Sequence, residues 1–392
     1  MKLYLNDMGV VCAAGGNGNA LLDNLVQGRR SGLSKTDCFS PGRSVYVGEV
    51  KSELPEITDQ HAFYRCKNNQ LLLAALEQIK ATVEQMIKRY SASRIGVVIG
   101  TSTSGVRNTE RSIAEVASSR PKPDWFHYKQ QQLAGGADFI ARICGVKGPV
   151  YAVSTACSSS GRALASARRM LRLGLCDAVI VGGGDSLCRF TVNGFMALES
   201  VSSDLCKPFG EHRDGINLSE AAALFVLSKE PGPVELLGIG ATSDAYHFSA
   251  PDPKGHAVVK AMQMALTDAR LDAGQIDYLN LHGTATPLND AMESQAVASV
   301  FGADTACSST KGMTGHALGA AAAVELAICW TLLQQSSDKT LLPPNINDDD
   351  LDPDLPVLNF VQNGQSSTVV RYCQSNSFAF GGNNLSVIVA KA

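Results

Sequence analysis

Short apolar runs alternate with longer segments of helical period along the whole chain. In the first half, Ile95 to Gly100, Val150 to Ser154 and Ala178 to Gly182 are brief and almost uniformly apolar, the pattern of strands buried on both faces. Helices are predicted between them near Leu71 to Ile87, Ala134 to Ile143 and Arg162 to Leu173. The second half repeats the scheme, with strands at Val234 to Ala241, Tyr278 to Leu281, Tyr372 to Ser375 and Ser386 to Ala390. Its helices fall at His256 to Ala269, Ala291 to Phe301 and Leu318 to Leu333. Such an order implies an α/β fold of mixed sheets covered by helices.

The two halves also echo each other in residue pattern. Gly161-Arg162-Ala163-Leu164-Ala165-Ser166-Ala167 matches Gly315-His316-Ala317-Leu318-Gly319-Ala320-Ala321, and the same register sets Cys157 opposite Lys311. Asn217-Leu218-Ser219 leads into an apolar strand at Ala222 to Leu227, as Asn384-Leu385-Ser386 leads into Val387 to Ala390. A repeat of this length implies duplication of a structural unit. The turn-forming run Lys229-Glu230-Pro231-Gly232-Pro233 separates a first half, 1–230, from a second, 231–392.

Composition narrows the class. With 392 residues, 45% hydrophobic and 18% charged, the chain has material for a large core. No stretch approaches the roughly eighteen apolar residues of a membrane span. The formal net charge of -3 gives no reason to expect nucleic acid, so any anionic partner must meet a local basic patch. The first residues show no secretory pattern, which places the protein in the cytoplasm. Eleven cysteines without a CxxC pair or a Cys/His metal spacing imply reduced thiols and no zinc site. Gly100-Thr101-Ser102-Thr103-Ser104-Gly105 and Gly182-Gly183-Gly184 lack the lysine of a phosphate loop and the dinucleotide fingerprint, and read as turns and close packing. Asp348-Asp349-Asp350 lacks the glycine and glutamate of a calcium loop and reads as a solvated turn.

Cys157 carries the chemistry. It lies in Ser154-Thr155-Ala156-Cys157-Ser158-Ser159, between a predicted strand and a predicted helix, where helix-end amides favour the nucleophilic thiolate. His282 follows a short strand in His282-Gly283-Thr284-Ala285-Thr286-Pro287. Lys311 and His316 stand together in Lys311-Gly312-Met313-Thr314-Gly315-His316, ahead of an Ala-rich helix. One cysteine and two loop histidines are the parts of a nucleophilic site.

These motifs, with Asn376-Ser377-Phe378-Ala379-Phe380-Gly381-Gly382-Asn383-Asn384, resemble the β-ketoacyl-acyl-carrier-protein synthases of the Cys-His-His branch, over essentially the whole chain. The resemblance implies a duplicated, thiolase-like, five-layered αβαβα fold and a dimer built across the first half. It implies decarboxylative condensation of an acyl group on Cys157 with malonyl-carrier, extending the chain by two carbons. His282 and His316 would stabilise the enolate, and Lys311, near His316 and paired with Glu293, would organise the charge. The amides of Cys157 and Phe380 would form the oxyanion hole, with Phe378 and Phe380 as a gate. Thr284 and Thr286 would hold the phosphopantetheine arm of an acyl carrier protein, and Arg65, Lys67, Arg120 and Lys122 would meet its acidic surface. No bound cofactor is implied.

Ala379 and Asn383 stand where the family usually has glycine and threonine, and Glu199 to Pro208 is shortened. Alanine adopts positive φ less readily than glycine, so a changed gate is expected. These departures leave open a dedicated polyketide or polyene pathway beside fatty-acid synthesis. A thiolase would need a second cysteine where Phe380-Gly381-Gly382 stands, and His316 argues against the branch that uses Cys-His-Asn. A catalytic subunit paired with a homologous chain-length partner is the remaining alternative to a homodimer.

Overall fold

The computed structural model describes every residue except Ser337 and Asp349, and the backbone but not the side chain of Thr368. The first half contributes strands β1 (Tyr4–Cys12), β2 (Ile95–Gly100), β3 (Val150–Val153), β4 (Ala178–Asp185) and β5 (Ala221–Ser228). The second contributes β6 (Val234–Ser243), β7 (Tyr278–Asn280), β8 (Ala306–Ser308), β9 (Asn359–Phe360), β10 (Tyr372–Ala379) and β11 (Asn383–Lys391). Their order is β9-β8-β7-β10-β11-β6-β1-β5-β4-β2-β3.

The duplication is explicit in this order. In the first half β2 pairs parallel with β3 and β4, β4 antiparallel with β5, and β5 antiparallel with β1. In the second, β7 pairs parallel with β8 and β10, β10 antiparallel with β11, and β11 antiparallel with β6. The two mixed sheets meet where Tyr4 and Leu5 pair with Glu235 and Val234.

Six helices complete the layers: α1 (Lys67–Tyr90), α2 (Gly135–Cys144), α3 (Ser159–Arg172), α4 (His256–Ala269), α5 (Pro287–Phe301) and α6 (Ala321–Leu333). Helices α1 and α2 cover the outer face of the first sheet through Leu72, Ile79 and Phe139. Helices α4 and α5 cover the second through Met262, Met292 and Val297. Between the sheets, α3 and α6 pack on each other and share one apolar core with both. The result is a thiolase-like αβαβα fold. Strands roofed on both faces need apolar residues on both, which explains why β2 and β4 are buried at every position.

Two expectations are corrected. The echo that set Cys157 opposite Lys311 is displaced in the structure: Cys157 lies two residues before α3, whereas a short helix, Lys311–Thr314, and a turn, Leu318–Ala320, intervene before α6. Asp348 and Asp350 are held by Arg30 at 3.1 Å and by His212 at 2.9 Å rather than by solvent alone, and Asp349 lies outside the described residues. Among the described residues, no helix is long and apolar enough to cross a membrane.

Candidate active site

Cys157 sits on the sharp turn between β3 and α3. Ala156, just before it, has φ of 50°, a left-handed conformation that costs alanine energy and is kept only where neighbours enforce it. Serines do so here: the Ser159 hydroxyl accepts from the Thr155 amide at 2.8 Å and donates to the Ala156 carbonyl at 2.6 Å, while the Ser158 hydroxyl donates to the Thr155 carbonyl. Gly100, at the end of β2, lets this turn approach, since a Cβ there would lie 2.3 Å from the Ser160 nitrogen.

His282 leaves the end of β7 with its amide and that of Gly283 each donating to Glu293 at 2.7 Å. His316 is fixed by its backbone to the other half, its amide donating to the Asn217 carbonyl at 2.7 Å and its carbonyl accepting from the Ser219 amide at 3.0 Å. Its Nε2 lies 3.1 Å from Cys157 Sγ. The two imidazoles stand at 87° to each other with ring centres 5.6 Å apart. The fold thus brings Cys157 together with residues 125 and 159 positions further along the chain.

Lys311 is 2% exposed. Its ammonium donates to the His282 carbonyl at 2.5 Å, lies 3.4 Å from His282 Nδ1 and is paired with Glu325. This corrects the expected partner of Lys311, which was Glu293. Glu293 instead holds the backbone of the His282 loop. Glu325 is absent from the residues singled out in the sequence, although its signal is there: it is the one acidic residue in the apolar run Ala320 to Leu333, and a carboxylate buried in such a helix requires a partner.

Burial controls the ionisation of the site. It holds both imidazoles well below their usual pKa, with the Lys311 cation acting in the same direction, so each is neutral at pH 7. Donation from Lys311 to His282 Nδ1 puts the ring proton on Nε2. His316 Nδ1 has no hydrogen-bond partner among the described residues, leaving that ring free to carry its proton on either nitrogen. Burial also pushes the Cys157 thiol up to about 11, against the pull of Lys311 and of backbone hydrogen bonds from Phe380 and from its own amide. This runs against the expected thiolate near neutral pH, because burial outweighs the pull of Lys311 and of the backbone amides. Burial raises Glu293 to about 7 against its two amide donors.

A cavity of about 270 Å³ opens onto Cys157, His282 and His316. Thr284 and Thr286 line it with their hydroxyls 2.8 Å apart. Phe378 packs edge-on against His282 at 6.0 Å between ring centres, and Phe380 leans on Phe195 at 5.5 Å. The turn after Phe380 takes its positive φ at Gly381 and Gly382, whereas Ala379 pairs with Asn383 at the strand end and has no positive φ. Ala379 thus carries no left-handed strain.

Of the surface cations, Arg65 bonds Asp59 at 2.8 Å and the Ile57 carbonyl. Lys67 is turned inward, 2.6 Å from the fully buried Glu220. Arg120 and Lys122 are exposed. The Cys157, His282 and His316 ligand atoms lie within 4.8 Å of one another, a spacing that also suits a three-ligand metal site. Chemically, the assembly offers a sulfur nucleophile, a neutral base beside it and a second N–H donor in an apolar chamber.

Known proteins are similar to this chain. The family described as "Beta-ketoacyl synthase, N-terminal domain" matches residues 46–231, and "Beta-ketoacyl synthase, C-terminal domain" matches residues 234–348. The chain is similar to Nodulation protein E of Rhizobium meliloti, 33% identical over 306 residues that cover 75% of each chain. It is 29% identical to 3-oxoacyl-[acyl-carrier-protein] synthase 2 of Staphylococcus aureus (strain MRSA252), over 100% of this chain and 98% of the relative. Among solved structures, a ketosynthase from Xenorhabdus doucetiae in complex with its chain length factor is 42% identical over 100% of this chain and 98% of that one, with a TM-score of 0.95.

Proposed function

Because the chain belongs to the β-ketoacyl synthase family and is a condensing acyltransferase, we propose that Cys157 carries the acyl group and that His282 and His316 serve the decarboxylative step. The observation that carries this reading is the 3.1 Å contact of His316 Nε2 with Cys157 Sγ, with His282 at right angles beside it. In the first step sulfur attacks an acyl thioester, and its proton passes to His316 as the new C–S bond forms. The departing carrier thiolate takes that proton and leaves as a thiol. Amides of Cys157 and Phe380, which pull the pKa of the thiol down, hold the carbonyl oxyanion.

In the second step the bond from malonyl-carrier to its carboxylate breaks, carbon dioxide departs, and the electron pair becomes an enolate. Nε2–H donors of His282 and His316 stabilise its oxygen by hydrogen bonds. The enolate carbon attacks acyl-Cys157, the C–S bond breaks and the thiolate takes up a proton from water. The product is a β-ketoacyl thioester two carbons longer. Lys311 is a positioning residue for His282, with Glu325 as its counter-ion, while Glu293 shapes the loop beneath.

The substrates ride on the phosphopantetheine arm of an acyl carrier protein, guided by the hydroxyls of Thr284 and Thr286. Arg65, Arg120 and Lys122 steer the carrier, and Lys67 supports that surface through Glu220. The chain works as two halves, 1–230 and 231–392, in the cytoplasm, in fatty-acid or polyketide and aryl-polyene-like synthesis. Its partner is a second copy or a homologous chain-length subunit, a reading supported by the half-buried strand β3 at the sheet edge and by the partnered Xenorhabdus ketosynthase.

Purified protein, alone and with a candidate partner, incubated with acyl-carrier and malonyl-carrier thioesters tests the proposal. Condensation product and acyl-Cys157 are expected by mass spectrometry. Acylation at another cysteine, or no acylation with a competent partner present, overturns it.

A further inference from the structure

Asp185, at the end of β4, is a fully buried carboxylate that the condensation chemistry does not use. All of its hydrogen-bond donors are neutral. Thr101 Oγ1 donates at 2.6 Å, the Ser102 amide at 2.9 Å and 3.0 Å to the two oxygens, and the Thr103 amide and hydroxyl each at 2.8 Å. The Gly319 amide donates at 2.6 Å from the other half of the molecule. An acceptor facing so many donors has to be a carboxylate, since an amide in its place would aim its own N–H groups at some of them.

The donors come from the two segments that support the site. Thr101 to Thr103 continue from Gly100, whose Cα lies against the first turn of α3, and the Ser102 hydroxyl is 3.5 Å from the carbonyl of Ala156. That is the strained residue directly before Cys157. Gly319 lies three residues after His316, beside Leu318 at φ of 49°, and a Cβ on it would come within 2.8 Å of both Asp185 Oδ2 and the Ser102 nitrogen. A single carboxylate therefore joins the support of the nucleophile to the support of its base.

We propose that Asp185 is a positioning residue whose buried carboxylate fixes the approach of His316 to Cys157 by tying the Thr101–Thr103 loop to the Gly319 amide. The assignment of that contact to condensation rests on the function proposed above, but the geometric link does not. Misplacement of about 1 Å between reacting groups costs on the order of a hundredfold in rate. Loss of one donor or of the charge therefore registers at Cys157.

Three variants test this: Asp185→Asn, Thr103→Val, which deletes one donor at constant shape, and Thr103→Ser, which restores it. Each is compared with the parent by melting temperature, by the rate of Cys157 alkylation with iodoacetamide at pH 8 followed by peptide mass mapping, and by kcat and KM for malonyl-carrier. Asp185→Asn is expected to slow alkylation and kcat about tenfold or more with KM within twofold. Thr103→Val should slow both several-fold and Thr103→Ser should match the parent. Variants that melt earlier while their folded fraction reacts at the parental rate overturn the proposal, and so does Thr103→Ser behaving like Thr103→Val. If Asp185→Asn does not fold, the threonine pair alone separates the two outcomes. Should the parent fail to condense while alkylation still follows the hydroxyl, the function falls and the role of Asp185 stands.

Discussion

At Cys157 two effects oppose each other, and the site's behaviour depends on which prevails. The helix end, Lys311 and two backbone hydrogen bonds favour the anion, but full burial lifts the thiol to about 11. Alkylation of Cys157 should therefore rise about tenfold per pH unit between pH 7 and 9, tracking the thiolate fraction. A plateau in that range would show that the helix end prevails. The histidines divide the chemistry. His282→Ala should leave acyl transfer to Cys157 measurable and cut carbon dioxide release from malonyl-carrier about a hundredfold, the scale of one lost oxyanion donor. Cys157→Ala should abolish acylation and keep part of the decarboxylation. Separate assays of label and carbon dioxide distinguish these, and parental decarboxylation in His282→Ala would remove that residue from the enolate step. Cys307 and Cys373 are not expected to compete: both are buried, and burial raises both thiols well above the usual range.

Element by element, the site is a set of loop ends, each held by a buried acidic group. Glu325 on α6 pairs with Lys311 and reaches Ser377 on β10 at 3.5 Å. Removing one partner of a buried pair strands the other, at a cost of about 3–5 kcal/mol. Glu325→Leu should lower the melting temperature sharply, while Lys311→Met with Glu325→Leu should recover stability without recovering decarboxylation; recovery of both would make the pair purely structural. Glu293 on α5 carries a folded pKa of about 7, above the ordinary 4.5. The folded state binds the extra proton between those values, so this group's stabilisation is greatest below pH 4.5 and declines as pH rises towards 7. Glu293→Gln should flatten that slope in melting curves recorded from pH 4.5 to 8; an unchanged slope would assign it to other groups. In the gate, Ala379 has an ordinary strand conformation, so Ala379→Gly is expected to change acyl transfer of bulky chains no more than malonyl decarboxylation. A selective effect on bulky chains would return the alanine to a gating role.

For the whole molecule, the sequence is most informative where both faces of an element are covered. Runs such as Ile95 to Gly100 and His256 to Ala269 form β2 and α4 at the expected residues because a continuous apolar run or a strong helical period leaves little alternative. Strand β1 is not among the expected elements. Its acidic Asp7 and its polar Asn6 obscure a segment that only tertiary pairing with β5 and β6 makes a strand. The Cys157, His282 and His316 trio is legible because strand-to-loop junctions concentrate chemistry, but the partner of Lys311 is not, since an ion pair across fourteen residues and two elements depends on how α6 packs. The ionisation of Cys157 is also beyond local reading, because burial is a property of the assembled halves.

The same assembly leaves the edge at β3 open. Strand β3 terminates the sheet, bonded in the described structure to β2 on one side, and Leu173 and Leu175 after α3 are exposed. An unpaired edge beside apolar surface is where a further chain adds. The protein is therefore expected to run above monomer mass in light scattering, as a homodimer or, with a homologous subunit co-expressed, as a heterodimer. Ala152→Lys places a charge in the middle of that edge. It should shift the mass to monomer with the folded far-UV spectrum retained, and lower condensation with it if the partner completes the acyl chamber. A variant that stays dimeric would move the interface away from β3.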